Sequence, residues 1–384
     1  MRDIRLLFPT DDPVASNMLI GRAQDVEDIA LALGNGQHLI IAGSRRIGKS
    51  TVGLAALERL ANQATYTAAA DLWDHDDLTG LVQALARSIL ANRGPVAKAL
   101  RSARESGRDL FGLIPRGVTA SLRTHLGEEV ELAWSAPSAG PTEVTIAAVI
   151  QLAQRIADKD SRRIVLFLDE FQDIASGRFG DPDVLTKQLR AQLQRSPKVS
   201  VLFAGSIEHL MREMFGEQRR ALSQFGSYYE LSPILPSEWR AGLTARLDEL
   251  EVVAEPQAVN EVVDRGEGHP RSTMLIARET VSVSLSRRLE RTINFGDVVG
   301  GWELAMQADR LRHEEIVERL RSTAHAYSVA IRVARGERPY AGMAPAAARR
   351  ALTMMEKAGI AERSRRGTWR IPEPLLRNYL ASRP

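Results

Sequence analysis

The chain has 384 residues, of which 44% are hydrophobic and 26% charged, and it contains no cysteine. That balance supports a globular protein of two or three domains. It excludes disulfides and thiolate metal sites, and no apolar run approaches the ~18 residues needed to span a bilayer. Met1-Arg2-Asp3-Ile4-Arg5 is not followed by the apolar core of a signal peptide, so a cytoplasmic protein with no membrane partner is expected. Residues 311–384 hold 15 Arg/Lys against 7 Asp/Glu, and the remainder holds 36 against 41. A basic terminal segment on a mildly acidic body implies either a polyanionic partner or an arginine-rich solvated surface.

In chain order, residues 1–20 read as an irregular lead-in ending at Gly21-Arg22, and Val26, Ile29, Ala30 and Leu33 follow at helical spacing. Residues 38–42 form a short apolar run that predicts a buried strand. The next eight, Gly43-Ser44-Arg45-Arg46-Ile47-Gly48-Lys49-Ser50, fit G-x-x-x-x-G-K-[ST]. From Thr51 the apolar residues return to helical spacing. A strand, a glycine loop and a helix in succession make a phosphate cradle: backbone N–H groups curl around the oxygens, and the helix N-terminus adds its dipole. Lys49 would reach the β- and γ-phosphates, and the Ser50 hydroxyl would ligate Mg²⁺.

A second strand is predicted over 64–70 and a helix over 78–90. Residues 94–145 read as an insertion, with a helix over 97–113, a strand over 130–134 and a loop over 135–141. A helix over 145–158 then leads to Val165-Leu166-Phe167-Leu168-Asp169-Glu170, an apolar strand ending in paired carboxylates. Such a strand delivers its last residue to the rim where open α/β sheets bind ligands. There Asp169 would hold Mg²⁺ and Glu170 would act as general base on the attacking water. The pair favours ATP chemistry of the additional-strand class. The guanine-reading Asn/Thr-Lys-x-Asp run is missing, since Thr186-Lys187-Gln188-Leu189 lacks its aspartate.

Residues 199–206 and 228–231 predict a fourth and a fifth strand. Alternation of strands with helices predicts a parallel sheet covered on both faces, a three-layer α/β/α P-loop NTPase arrangement. Ser206, closing the fourth strand, has two readings: a sensor of the γ-phosphate or attacking water, and an N-cap for the following helix. From 236 to 310 the pattern is helical, which marks a second domain. Within it Gly268-His269-Pro270-Arg271 opens a helix. Arg271 is placed to reach back to the γ-phosphate, while Pro270 also suits the first helical turn.

The expected domains are therefore 1–235 (ATPase core), 236–310 (lid) and 311–384 (winged helix). In the last, a helix over 345–357 carries Arg349 and Arg350 off its apolar face, and two short strands flank Ser364-Arg365-Arg366-Gly367, with Arg370 on the second. A helix followed by an arginine-tipped hairpin suits the grooves of duplex DNA. A winged helix used for protein contacts has the same pattern.

Together, Gly21-Arg22, the P-loop, Asp169-Glu170-Phe171-Gln172, Gly205-Ser206 and Gly268-x-Pro resemble the archaeal-type P-loop ATPases, a group similar to both the STAND signalling ATPases and the AAA+ origin-recognition initiators. The resemblance covers about residues 16–384, including the ending at 368–377. It implies a sheet in the order 5-1-4-3-2 with a helical lid and a C-terminal winged helix, ATP and Mg²⁺ as ligands, a slow ATPase switch, and Gly21, Arg22, Thr51 and Pro270 beside the nucleotide. Relatives often carry a Pro-Leu-Tyr-Gly-Arg run before the fifth strand, which here is Ala221-Leu222-Ser223-Gln224-Phe225-Gly226. Arg219 or Arg220 would have to replace that arginine in trans, or else both are solvated helix-end cations.

Overall fold

The computed structural model describes residues 3–10, 13–63, 65–91, 145–286, 292–363 and 367–384. Its centre is a sheet of five strands, β1 Leu39–Ala42, β2 Tyr66–Asp71, β3 Ile164–Asp169, β4 Val199–Ala204 and β5 Ser227–Glu230. They pair in the order β2-β3-β4-β1-β5, all in parallel. This is the expected 5-1-4-3-2 read from the other edge. β3 and β4 are buried along their whole length, which is why they read as unbroken apolar runs. Alternate residues face opposite layers. Ile40, Leu166, Leu168 and Phe203 pack with the helices Leu78–Ala91, Ile146–Asp160 and Pro182–Gln194. Leu39, Ile41, Val165, Phe167 and Leu202 pack with Ala23–Gly34 and Lys49–Ala61. A one-residue slip of any strand would exchange the two sets, so register is strongly specified.

Local chemistry starts the surrounding helices. The Thr145 hydroxyl accepts the Ala148 N–H at 3.2 Å, and Asp181 caps Pro182–Gln194, whose first residue is proline. The β2–β3 register sets Asp71 opposite Asp169, so both carboxylates reach the rim onto which β1 delivers the P-loop. The expectations for 97–113, 130–134 and 135–141 lie outside the described residues.

The helices Pro236–Glu249, Pro256–Gly266, Pro270–Ser286 and Phe295–Ala308 pack around Trp239, Leu243, Leu275 and Val298. Two features differ from expectation. A two-residue parallel strand pair, Val253–Ala254 with Thr292–Ile293, joins the helices. The lead-in is also not irregular. It forms a turn of helix at Ile4–Leu7, and Leu7 and Phe8 are buried in the helical cluster. The Arg246 guanidinium holds it there by donating to the carbonyls of Leu7 and Met18. A segment of eight residues is too short for periodicity to reveal such docking.

The C-terminal segment has a separate core of Val317, Leu320, Val329, Leu352, Met355, Ile371 and Leu380. The helix Pro345–Lys357 is followed by the antiparallel pair Glu362–Arg363 and Trp369–Arg370, then by the helix Pro374–Ala381. This is the helix-and-wing arrangement read from the sequence. Among the described residues no helix is long and apolar enough to cross a membrane.

Candidate functional site

After β1 the chain turns through Gly43–Gly48 into the helix Lys49–Ala61. Gly48 has φ 97°, and Arg46, which is not a glycine, has φ 61°. A left-handed arginine is held only where its surroundings over-determine it. The buried Lys49 ammonium donates to the Gly43 and Ser44 carbonyls at 2.9 and 2.8 Å. Arg22 braces the loop from behind. It donates to the Ile47 carbonyl at 2.9 Å and to Asp25 at 2.9 Å, and Asp25 also accepts the Tyr229 hydroxyl at 2.8 Å.

Asp169 ends β3, and Glu170 follows in the left-handed region at φ 46°. Ser50 stands close enough to the Asp169 carboxylate to favour its ionised form, which brings together the two residues expected at a metal. Burial pushes the Asp169 carboxyl up to about 6, against the opposing pull of hydrogen bonds from Ser50 and the Glu170 N–H. Glu170 Oε2 accepts the Ser206 hydroxyl at 2.7 Å and also a Gln172 amide hydrogen. Ser206 therefore faces the carboxylate. The N-cap of the following helix is Ile207, with no side-chain cap bond. Asp71 was not anticipated. It lines the same cleft, and burial raises its carboxyl while the Trp73 N–H it accepts opposes the rise. A strand ending in aspartate beside the Asp-Glu strand was the available signal.

The cleft has a volume of about 690 Å³, within the roughly 300–1,000 Å³ of small-molecule sites. Its lining includes Arg45, Arg46, Ile47, Gly48, Lys49, Ser50, Thr51, Asp169, Glu170, Ser206, Pro270 and Arg271. Its lining also includes the apolar side chains of Met18, Leu19, Ile20, Ile234 and Met274, which suit the flat face of a base. Gly21 stands at its edge with φ 62°, where a Cβ would lie 2.5 Å from the Ile234 side chain. Arg22 lines the cleft, but its hydrogen bonds go to the P-loop and Asp25. Gly43 and Ser44 face a second groove, shared with Ser206, His209, Glu356 and Glu362. There the Ser44 hydroxyl donates to Glu362 of the wing at 2.7 Å.

The residue set fits Mg²⁺ and a nucleotide. Ser50 and Asp169 supply hard oxygen donors, Lys49 and the arginines supply cationic charge, and the apolar lining supplies a surface for a base.

Arg271 reaches the cleft wall, yet its guanidinium is engaged by Asp309, at 2.7 Å for Nη2, and lies 3.6 Å from Glu373. Arg349 and Arg350 are exposed. Arg370 is paired with Glu362 at 2.6 Å, and Arg365 and Arg366 lie outside the described residues. The C-terminal part of helix Pro345–Lys357 rests on the helix Glu208–Gly216, with Glu356 beside His209. Arg219 is exposed, whereas Arg220 is tied to Glu213 and to Asp183, the latter at 3.4 Å. Sequence reasoning missed Asp309, Glu362 and Glu373, carboxylates with no motif of their own.

No family model matches the chain, and no curated protein matches it in sequence. Solved structures do. The Walker-type ATPase of Pyrococcus abyssi is similar at 15% identity and a TM-score of 0.69, covering 97% of this chain and 99% of that one. The ORC2 protein of Aeropyrum pernix, in its ADPNP and ADP complexes, is similar at 15% identity and a TM-score of 0.58, covering 99% and 96%. Its ADP form gives 13% identity and a TM-score of 0.53, covering 98% and 99%. The chain shares the fold of these proteins, with 97–99% of it covered.

Proposed function

We propose that the chain is a slow, Mg²⁺-dependent ATPase switch whose winged helix engages double-stranded DNA. One observation carries the enzymatic part. Lys49, Ser50, Asp169, Glu170 and Ser206, from three separate strand ends, line one cleft that also has apolar lining residues. The ATPases with this fold lend support, and the Aeropyrum protein binds ADPNP and ADP.

The residues divide the work by chemistry. Lys49 would exchange its two loop carbonyls for phosphate oxygens and neutralise them. Glu170 would take a proton from a water as the water oxygen bonds to the γ-phosphorus and the bond to the β–γ bridging oxygen breaks, releasing ADP. Ser206 holds the Glu170 carboxylate in place through its 2.7 Å hydrogen bond. Mg²⁺, held by Ser50 and Asp169, would supply the charge that stabilises the β- and γ-phosphate oxygens.

The domain limits 1–235, 236–310 and 311–384 belong to this proposal, as does a role for Arg219 or Arg220 in a neighbouring copy's site. The DNA part rests on the basic C-terminal segment and the exposed Arg349 and Arg350. A second reading has a specific observation in its favour. Arg370 and the end of the winged-helix helix are engaged with protein in this conformation, which suits a STAND-like module that binds protein. Release of phosphate from ATP tests the enzymatic reading: Glu170→Gln should still bind ATP and should stop turnover. Undiminished turnover in that variant removes Glu170 from the role.

A further inference from the structure

We propose that Arg46 is the residue by which this site distinguishes a triphosphate from a diphosphate, with Glu373 of the winged helix as its competing partner. The inference rests on the nucleotide reading of the cleft and adds a specificity determinant to it.

The left-handed Arg46 sends its guanidinium to the junction of P-loop, lid and winged helix. Its Nη1 lies 3.8 Å from Glu373 Oε2, too far for a hydrogen bond, and that nitrogen is buried with no hydrogen-bond partner. Glu373 stands at the N-cap position of the last helix without a side-chain capping bond, and its carboxylate is engaged by Arg312, at 3.0 Å for Nη1. Asp309 accepts from Arg271 and Arg312 at 2.7 Å each. Three guanidiniums thus share two carboxylates. The adjoining imidazoles do not change the balance. Burial lowers the pKa of His269, and burial with Arg312 takes His313 down to about 4. The cluster carries one excess positive charge.

Its geometry gives that charge a direction. Arg46 and Arg271 line the cleft, while Asp309, Arg312 and Glu373 are not among its lining residues. Two of the three cations therefore face the cleft, and both carboxylates stand behind them with Arg312. Asp309, His313 and Glu373 bring ligand atoms within 4.8 Å of one another, but both carboxylates are already held by guanidiniums, so the cluster selects an anion rather than a metal. A third phosphate beyond Lys49 supplies the missing negative charge and a full hydrogen bond for Arg46, in competition with Glu373. A diphosphate ends short of it.

The test is equilibrium titration of the full chain with fluorescent ATP and ADP. Arg46→Ala should weaken ATP about tenfold, the size of one charge-assisted hydrogen bond, and should leave ADP within about twofold. Glu373→Gln removes the competitor and should tighten ATP about threefold, with ADP unchanged. A merely structural pair would weaken both nucleotides in both variants, so equal losses, or weaker ATP binding by Glu373→Gln, overturn the proposal. Failure of the unmodified chain to bind either nucleotide overturns the nucleotide reading itself, and this inference with it.

Discussion

Replacing Asp169 by asparagine should make the nucleotide-free protein more stable and its liganded form less so. The carboxyl is 8% exposed, and burial raises it from its ordinary 3.8 to about 6. Each pKa unit corresponds to about 1.4 kcal/mol, so the ionised form costs up to about 3 kcal/mol at pH 7. Allowing for relaxation and for hydrogen bonds that asparagine keeps only in part, a gain of about 1–2 kcal/mol remains, a rise of roughly 2–8 °C in the melting of a unit of this size. Because the folded pKa is raised, the native state binds more protons than the unfolded state between about pH 4 and 6. Stability of the unmodified protein is therefore full below that window and falls as pH rises through it. The advantage of the variant should vanish at pH 4 and be complete by pH 7. With saturating MgATP the order should reverse, since a ligand that binds only the folded state stabilises it by mass action and the variant has lost a metal donor. Thermal unfolding at pH 4, 5, 6 and 7, with and without MgATP, reads all of this. Lower stability of Asp169→Asn at pH 7 without nucleotide would refute the reasoning.

Lys49→Ala should raise the dissociation constant for ATP about a hundredfold through loss of charged phosphate contacts. Titration with a fluorescent analogue checks this, and unchanged affinity contradicts the cradle. Double replacement of Arg349 and Arg350 by alanine should reduce the slope of log K against log salt for duplex DNA by about 2, since each phosphate contact contributes about 0.9. If the unmodified chain fails to bind duplex at low salt, the protein-binding reading of the winged helix stands in its place.

What could be read without the structure was what local chemistry encodes. Gly43 to Ser50 announce themselves because a phosphate loop needs glycine, lysine and a hydroxyl within eight residues, and Asp169-Glu170 because the strand before them is buried on both faces. Pro345–Lys357 was legible because a proline start and an apolar stripe coincide. The contacts that crown the loop were not legible. Ser44 meets Glu362 across 318 residues, and Glu373 reaches Arg46 across a comparable span, so neither carboxylate looks different from a solvated one in the sequence. Asp71 had a weaker signal, an aspartate ending a strand whose position beside β3 only the register reveals. Leu7 and Phe8 were taken for lead-in because two apolar residues carry no period, yet they are buried against the lid.

The central claim, that one cleft holds a nucleoside triphosphate with its phosphates on the P-loop and Mg²⁺ at the Asp-Glu strand, is tested most directly by a crystal structure with a non-hydrolysable ATP analogue and Mg²⁺. The account predicts phosphate oxygens within hydrogen-bonding distance of Lys49 Nζ, the metal on the Ser50 hydroxyl and beside Asp169, and the base against Ile20, Ile234 and Met274. An analogue bound elsewhere, or in this cleft with its base toward Lys49, would contradict it.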